Sequence, residues 1–253
     1  MGDVLVEHRD GIAIITINRP ESRNAVNRAV SDAATAAIDE LDARSDLVVG
    51  IITGAGGFFS AGMDLKAFLA GEKVADETRG MLGFTQTPTQ KPLIAAVEGP
   101  ALAGGCEIAL ACDLIVAAED SIFGIPEVKR GLVAAGGGLL RLPRRIPQAV
   151  AMELALTGDP ISAADALRIG LINSVTPAGG ALDGALALAK RITANGPLAV
   201  AASREIVRRA SDWSMDEGWE ESKRIYAPIF SSADASEGAL AFAEKRRPSW
   251  QGR

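Results

Sequence analysis

Histidine is almost absent from the chain, and this scarcity disfavours most kinds of hydrolytic centre. His8 is the single histidine among 253 residues. A Ser-His-Asp triad, a zinc hydrolase site or a histidine general base would each depend on that one side chain. Because His8 stands in VLVEH, a segment typical of an N-terminal strand, we expect it to fill a strand rather than take part in catalysis.

Cysteine is nearly as scarce, which argues against disulfide and metal sites. The two cysteines, Cys106 and Cys112, lie six residues apart in a predicted helix, too far for neighbouring turns to bring them together. No metal-ligand spacing surrounds either residue. We therefore expect two buried, reduced thiols and no bound metal.

Long apolar runs and an excess of positive charge are also missing. No stretch approaches the ~20 apolar residues of a membrane helix, and residues 1–10 lack the basic-then-apolar pattern of a signal peptide. A net charge of −6 opposes binding to a phosphate backbone. The sequence therefore predicts a cytoplasmic globular protein with neither a membrane nor a nucleic acid as partner. Its 48% hydrophobic residues are enough for a sizeable core.

Strand and helix patterns alternate from the start of the chain to Gly137. VLVEH and IAIITIN are predicted strands, joined by the turn residues Asp10 and Gly11. Apolar residues at three- and four-residue spacing predict a helix over 27–43. Further strand candidates, with glycine-rich turns and the short helix GGCEIALAC between them, are LVVGIIT, PLIAAVEG, DLIVAAE and SIFGI. This interleaving favours an α/β core.

The pattern after Gly137 is helical. Six helix candidates follow, separated by glycine and proline. Within them, the run from Lys190 to Ala210 holds five basic residues spread among alanines and valines at helical spacing. Such spacing favours a solvated helix face.

A glycine-rich loop, GAGGFFSAGMD over 54–64, follows the third predicted strand. Glycines allow backbone conformations that expose amide hydrogens, and a helix beginning near Asp64 would point its first N–H groups the same way. Structural turning explains most such loops, so the signal is weak alone. The loop lacks both the Gly-Lys-Ser/Thr ending of a nucleotide loop and the G-x-G-x-x-G spacing of a dinucleotide fold.

A second loop, GPALAGGCE over 99–107, also runs from a strand into a helix through paired glycines. Amide donors from two such loops could converge on one oxygen and form an oxyanion hole. Glu107 would lie in the first turn of its helix, and Glu127 would begin another after Pro126; an ordinary helix-start glutamate is equally consistent at each position. Together, two loops and two carboxylates fit activation of water by one carboxylate and proton delivery by the other.

Five motifs, in order along the chain, resemble the crotonase superfamily, also called the enoyl-CoA hydratase/isomerase superfamily. They are FFSAGMDLKAF, KPLIAAVEGPALAGGCEIALACD, FGIPEVKRGLVAAGGG, LTGDPISAADALRIGLIN and EGALAFAEKRRPSW. The resemblance implies an α/β fold, a crotonase-like spiral of repeated ββα units followed by a helical region that makes trimers, often paired as hexamers. We accordingly expect a core over 1–195 and a C-terminal trimerisation region over 196–253.

The resemblance also implies a site. The amides of Met63 and Gly104 would bind the carbonyl oxygen of an acyl-CoA thioester, and Glu107 and Glu127 would hold the attacking water. Glu127 would supply the proton to the α-carbon, while Glu107 would help to deprotonate the water. Coenzyme A would be part of the substrate, and no other cofactor is expected.

The resemblance places coenzyme A contacts in three segments. Lys66 and Lys245 are equally consistent with solvated lysines, and the C-terminal contacts would reach the ligand of a neighbouring subunit. The expected contacts are Ser22, Arg23, Ala25, Ala61, Asp64, Leu65, Lys66, Phe242 and Lys245.

Retention of both glutamates favours hydration of an enoyl-CoA, or the reverse dehydration, in lipid metabolism. Three alternatives stay open: a crotonobetainyl-CoA hydratase, an isomerase that uses Glu127 alone, and a non-catalytic homologue that binds acyl-CoA or RNA. SAGMDLKA, LRLPRRIP and EGALAFAEKRRPSWQGR resemble carnitinyl-CoA dehydratases. A trimethylammonium substrate would, however, favour an aromatic cage or a carboxylate partner, and the chain has only one tyrosine and three tryptophans. The motifs depart from short-chain hydratases at Met63 and at Ala134-Ala135, where alanine and Pro-Gly are common.

Overall fold

A β-hairpin opens the chain in the computed structural model, which describes residues 2–253. Strands β1 (Val4–Arg9) and β2 (Ile12–Ile17) pair antiparallel, with Val4 opposite Ile17. Asp10 and Gly11 have φ angles of 53° and 77°, the left-handed conformation that a tight two-residue hairpin turn demands. The predicted hairpin is therefore confirmed.

The other strands are distributed over two sheets. In chain order they are β3 (Val49–Gly54), β4 (Leu93–Val97), β5 (Pro100–Leu102), β6 (Leu114–Ala118), β7 (Ile122–Gly124), β8 (Ile161–Ser162) and β9 (Ser174–Thr176). The larger sheet has the order β1-β2-β3-β4-β6-β9, and all its pairs except β1 with β2 are parallel. The smaller sheet has the order β5-β7-β8.

Ten α-helices accompany these strands in the described chain. They are α1 (Arg28–Ala43), α2 (Leu65–Leu69), α3 (Gly104–Ala111), α4 (Gly138–Arg145), α5 (Gln148–Thr157), α6 (Ala163–Arg168), α7 (Ala181–Thr193), α8 (Pro197–Arg209), α9 (Met215–Phe230) and α10 (Ala233–Glu244). Two strands that follow each other in the chain, β4 with β5 and β6 with β7, contribute one strand to each sheet. As a result, β4 and β6 are neighbours in the larger sheet, and β5 and β7 are neighbours in the smaller one. A helix follows each pair, which confirms the expected α/β spiral of repeated ββα units.

The larger sheet is covered on both faces, so its central strands are buried throughout. One core cluster joins Val30, Ile38 and Leu41 of α1 to alternate residues of the sheet. A second cluster joins Ala185 and Ala189 of α7 to the opposite face. Parallel strands buried on both sides appear in sequence as continuous apolar runs, which is why these strands could be predicted.

Two features of the region after Gly137 differ from the sequence prediction. Strands β8 and β9 lie where helices alone were expected, and β9 extends the larger sheet by pairing with β6.

Arg204 of α8 was predicted on a solvated face, and this is wrong: its side chain is 13% exposed and forms an ion pair with Asp113 at 2.8 Å. Charge spacing identifies a helix face but not what packs against it. The division of the chain at residue 195 stays a prediction.

The scarce residues lie as expected. Cys106 and Cys112 are both buried and free. His8 is exposed on β1, where its Nδ1 lies 3.1 Å from Arg44 Nη1. Over residues 2–253, no helix is both long and apolar enough to cross a membrane.

Candidate active site

The two glycine-rich loops lie in direct backbone contact. A Cβ on Gly62 would lie 2.4 Å from the backbone nitrogen of Gly104, and a Cβ on Gly105 would lie 2.1 Å from the carbonyl oxygen of Ser60. Gly62 also has a φ of +83°, which side chains rarely adopt. Glycine at these positions is therefore what allows the loop after β3 to pack against the start of α3.

Hydrogen bonding sets the direction of the Met63 amide. The nitrogen of Val26 donates to the carbonyl of Gly62 at 2.8 Å, and the nitrogen of Asp64 donates to the carbonyl of Val26 at 2.8 Å. In this short parallel bridge, the intervening Met63 N–H points away from Val26. It donates no hydrogen bond within residues 2–253.

The Gly104 amide is likewise without an acceptor in the part of the chain that the structure describes. Gly104 is the first residue of α3, whose first N–H groups have no partner inside the helix. The preceding Ala103 has φ 52° and ψ −130°, a strained conformation for a residue with a side chain. The chain thus keeps two adjacent amides unpaired, an arrangement that can bind an oxygen carrying negative charge.

Glu107 lies in the first turn of α3 and is almost completely buried, at 2% exposure. Its Oε1 accepts a hydrogen bond from the Gly138 amide at 2.9 Å. Burial raises the pKa of Glu107; the amides of Gly138 and Gly136 oppose this in part, and the charge of Glu127 raises the pKa further. The loop before α4 therefore holds a carboxyl group that is ready to accept a proton.

Close approach of that loop depends on its glycines. A Cβ on Gly136 would lie 2.7 Å from Oε2 of Glu107, and a Cβ on Gly138 would lie 3.1 Å from its Cγ. Arg141 of α4 donates to the Gly136 carbonyl at 3.2 Å and also bonds the Thr85 carbonyl. These bonds tie the loop to α4 and to Thr85.

Glu127 lies at the start of a 3₁₀ helix, Pro126–Arg130, directly after β7 and Ile125. Its Oε2 atom is buried and has no hydrogen-bond partner among the described residues. Burial raises the pKa of Glu127, against the opposing effects of its own backbone amide and the charge of Arg130. The charge of Glu127 also raises the pKa of Glu107, so the two carboxyl groups lie close enough to interact electrostatically.

A cavity of about 450 Å³ lies between the two glycine-rich loops and the 3₁₀ helix that carries Glu127. Its volume is in the usual range for small-molecule sites. Met63, Ala103 and Glu127 line it. It also brings together seven of the nine residues expected to contact coenzyme A: Ser22, Arg23, Ala25, Ala61, Asp64, Leu65 and Lys66. Gly104 and Glu107 are not among the residues that line the cavity; Glu107 contacts the Gly136 to Gly138 loop instead.

Phe242 and Lys245 are not brought to this cavity by their own chain. Phe242 is 87% exposed on α10, and Lys245 ends that helix in a left-handed conformation. The side chain of Asp64, although it borders the cavity, is committed to structure: it accepts from Arg19 at 3.1 Å and from the Lys66 amide at 3.0 Å. These bonds fix the start of α2.

Asn24 is a structural residue of the site that the sequence analysis missed. It is completely buried with φ 52°. Its side-chain amide donates to the carbonyls of Ala55 at 2.8 Å and Phe58 at 2.5 Å, while its own carbonyl accepts from Ser60 at 2.8 Å. Asparagine tolerates the left-handed conformation better than most residues, and that preference was the one local signal available.

Arg130 and Met81 were also missed. Arg130 lines the cavity beside Glu127, and the Met81 methyl lies near Gly104 and Gly136. Arg130 lies in the motif FGIPEVKRGLVAAGGG but has no evident chemical role there, and Met81 lies in none of the five motifs, so their positions at the site emerge from the tertiary structure alone.

Comparisons with known proteins agree with this geometry. A family model described as enoyl-CoA hydratase/isomerase matches residues 7–253. The chain is 45% identical to enoyl-CoA hydratase EchA19 of Mycobacterium tuberculosis, over 99% of this chain and 97% of that protein. It is 43% identical to carnitinyl-CoA dehydratase of Salmonella arizonae, over 100% of both chains.

A solved structure extends the comparison to three dimensions. A crystal structure of enoyl-CoA hydratase from Mycobacterium tuberculosis H37Rv is similar at 62% identity, with a TM-score of 0.98 and 100% of both chains covered. The match extends over the whole fold. The chain therefore belongs to the enoyl-CoA hydratase/isomerase family, within the crotonase superfamily.

Proposed function

We propose that this enzyme adds water across the double bond of a 2-enoyl-CoA thioester, or catalyses the reverse dehydration. One observation carries the proposal: a carboxyl group without a hydrogen-bond partner, Glu127, lines the same cavity as the unpaired Met63 amide. A buried carboxylate oxygen without a partner requires an explanation. In a family of acyl-CoA enzymes, the explanation that we propose is that Glu127 binds a reactant. Water is the reactant that a second carboxyl group, Glu107, would share.

The amides of Met63 and Gly104 would bind the thioester oxygen. When water attacks the β-carbon, a carbon–oxygen bond forms there and the π electrons of the double bond shift toward the carbonyl oxygen. The resulting enolate oxygen carries negative charge, which two preorganised N–H donors stabilise. The strained Ala103 supports this role, because strain of that kind concentrates at functional positions.

Glu107 and Glu127 would share the proton transfers. Glu107 takes a proton from the attacking water, and Glu127 delivers a proton to the α-carbon as the enolate collapses. The electron pair returns from oxygen to carbon, so the net change is addition of H and OH. The raised pKa of each carboxyl group brings it closer to neutral pH than an ordinary glutamate, which suits it to exchange protons.

Coenzyme A would enter along the side of the cavity formed by residues 21–25 and 61–66. Arg23, Lys66 and Arg130 line that cavity and supply positive charge for phosphate groups. The hydration itself requires no metal or organic cofactor, because the thioester carbonyl is the electron sink. Coenzyme A therefore belongs to the substrate.

Assembly would complete the site. Trp219, Phe230 and Phe242 are exposed apolar side chains on α9 and α10, at 68%, 79% and 87% exposure. Several large apolar side chains on one region favour an interface, so we include a homotrimer, or a dimer of trimers, in the proposal. Phe242 and Lys245 of one subunit would then reach the ligand of its neighbour.

The carnitinyl-CoA dehydratase relative leaves the acyl group open to question. Phe58 is the single aromatic residue that lines the cavity within residues 2–253. One phenylalanine does not make an aromatic cage for a quaternary ammonium group. The geometry therefore supports an uncharged acyl chain better than a trimethylammonium substrate.

Loss of the conjugated thioester absorbance of crotonyl-CoA is the direct test. We expect turnover by the wild type, and a decrease in kcat of about 10²–10⁴-fold in each of Glu107→Gln and Glu127→Gln, the range for removal of a general acid or base. Glu153→Gln, an exposed substitution on α5, is the matched control and should keep full activity.

Solvent labelled with ¹⁸O separates hydration from isomerisation, because isomerisation incorporates no solvent oxygen. Full activity of Glu107→Ala on a β,γ-unsaturated thioester would favour the isomerase. Absence of turnover with every enoyl-CoA, together with a salt-sensitive mobility shift on RNA, would favour the binding homologue instead.

A further inference from the structure

The Met81 side chain lies between the two halves of the site. A Cβ on Gly104 would lie 2.9 Å from the Met81 methyl carbon, Cε, and 3.2 Å from its sulfur, Sδ. A Cβ on Gly136 would lie 3.0 Å from the same methyl and 2.7 Å from Oε2 of Glu107. The Met81 methyl therefore lies close both to the loop of the unpaired amide and to the loop that holds Glu107.

The backbone around Met81 is firmly held. Its N–H donates to Thr85 Oγ1 at 2.8 Å, and the next amide, that of Leu82, donates to Ser31 Oγ at 3.1 Å. The Arg141 guanidinium donates one hydrogen bond to the Thr85 carbonyl and another to the Gly136 carbonyl. Hydrogen bonds thus hold the backbone here, and the Met81 side chain is the flexible part of the residue.

The expected position of the bound thioester indicates which part of it lies near the Met81 side chain. A thioester with its oxygen at the Gly104 amide and its β-carbon within reach of water on Glu107 must place its α-carbon between those points. The Met81 thioether lies near both of those points, although Met81 is 7% exposed and is not among the residues that line the cavity. Methionine is unbranched and rotates about three bonds, so it shapes this space without filling it rigidly.

We propose that Met81 is a specificity-determining residue, whose thioether selects acyl groups that are unbranched at the α-carbon. This inference rests on the proposed function for the placement of the thioester. A methyl branch on the α-carbon would meet the thioether, whereas the straight chain of the same length would pass beside it. A smaller side chain at position 81 would admit the branched group.

Two saturated thioesters test the inference without requiring turnover. Butyryl-CoA and 2-methylbutyryl-CoA differ by one methyl group at the α-carbon, and isothermal titration gives the Kd of each. We expect the wild type to prefer butyryl-CoA by about 10-fold or more, as one methyl group in a packed pocket can produce. Met81→Ala should reduce the preference to less than about 3-fold, while Met81→Leu, of similar volume, should retain it.

Met152→Ala is the matched control, because Met152 is 49% exposed on α5 and, unlike Met81, is not among the residues nearest to Gly104 or Gly136; it should leave the preference unchanged. Met81→Val provides an intermediate reduction in case Met81→Ala does not fold. An equal preference in the wild type and in the folded small-residue variants, within about twofold, would overturn the inference.

Hydration of crotonyl-CoA and tigloyl-CoA, which differ by the same methyl group, gives a second readout. If neither is hydrated but the Kd preference still changes with residue 81, the inference about Met81 stands and the proposed hydratase function fails. If both are hydrated at a ratio that Met81→Ala and Met81→Val leave unchanged, the function stands and the role of Met81 is refuted.

Discussion

Gly136→Ala offers the sharpest test of how Glu107 is positioned. The φ of Gly136 lies outside the left-handed region, so alanine fits the backbone without strain. The added Cβ, however, would lie 2.7 Å from Glu107 Oε2 and 3.0 Å from Met81 Cε. Both atoms are the ends of flexible side chains, and both must move.

The size of that movement sets the expected effect. Ordinary non-bonded contacts lie near 3.5 Å, so the carboxylate must shift by roughly half an ångström or more. Because a misplacement of about 1 Å can cost 10²-fold in rate, we expect kcat to decrease by about 10- to 100-fold. KM should change by less than about 3-fold, since misplacing a group that acts in the transition state lowers kcat more than binding.

Stability should change little in the same variant. Overpacking costs about 1–3 kcal/mol, and replacing glycine by alanine returns about 0.4–1 kcal/mol by restricting the unfolded chain. We therefore expect a net loss of about 1 kcal/mol in the free energy of unfolding. A large decrease in kcat with a small decrease in stability would separate mispositioning of Glu107 from general disruption of the fold.

Crotonyl-CoA hydration and urea denaturation measure the two quantities. Gly218→Ala is the matched control: the nearest atoms to its added Cβ lie 3.8 Å away, and the residue lies inside α9. It should retain full activity and gain up to about 1 kcal/mol of stability from helix propensity. A kcat for Gly136→Ala within about twofold of the wild type would refute the argument that this loop positions Glu107.

Two further predictions concern stability. Burial raises the folded-state pKa of Glu127, so the wild type is destabilised as pH rises through that pKa and is unaffected below the unfolded pKa. Glu127→Gln, which stays neutral, should therefore melt about 2–4 °C higher than the wild type at pH 8 and equally near pH 4; a difference that does not depend on pH, or one shared by Glu153→Gln, would contradict this. Asn24→Ala should lose about 3 kcal/mol in urea denaturation, because it removes buried hydrogen bonds and puts alanine in a left-handed conformation. Asn195→Ala, at an exposed residue with one local bond, should lose less than about 0.5 kcal/mol, and a similar loss in both variants would show that Asn24 does not hold the loops.

Elements with strong local signals could be predicted closely. Asp10-Gly11 predicted the first hairpin, and the helix expected over 27–43 is α1, with Asn27 as its N-cap residue. Glu107 lies in the first turn of α3 as expected. In each case, residues within a few positions of one another determine the backbone conformation.

Elements that depend on distant partners could not be predicted in this way. Strand β9 has three residues, too few to show a period, and it exists because β6 offers an open edge. Arg204 of α8 is largely buried because its side chain forms an ion pair with Asp113, a residue far away in sequence. Neither outcome is visible in a window of neighbouring residues.

The candidate site shows the same division. The sequence alone determined which residue types were available: two glutamates, two glycine-rich loops and the motifs of the family. Only the tertiary structure decided that Gly136 and Gly138 close over Glu107, that Asn24 ties its own segment to the loop after β3, and that Met81 lies between the amide and the carboxyl group. Turns and helix starts follow from local backbone preferences, whereas burial and pKa depend on which distant segments the folded chain packs together.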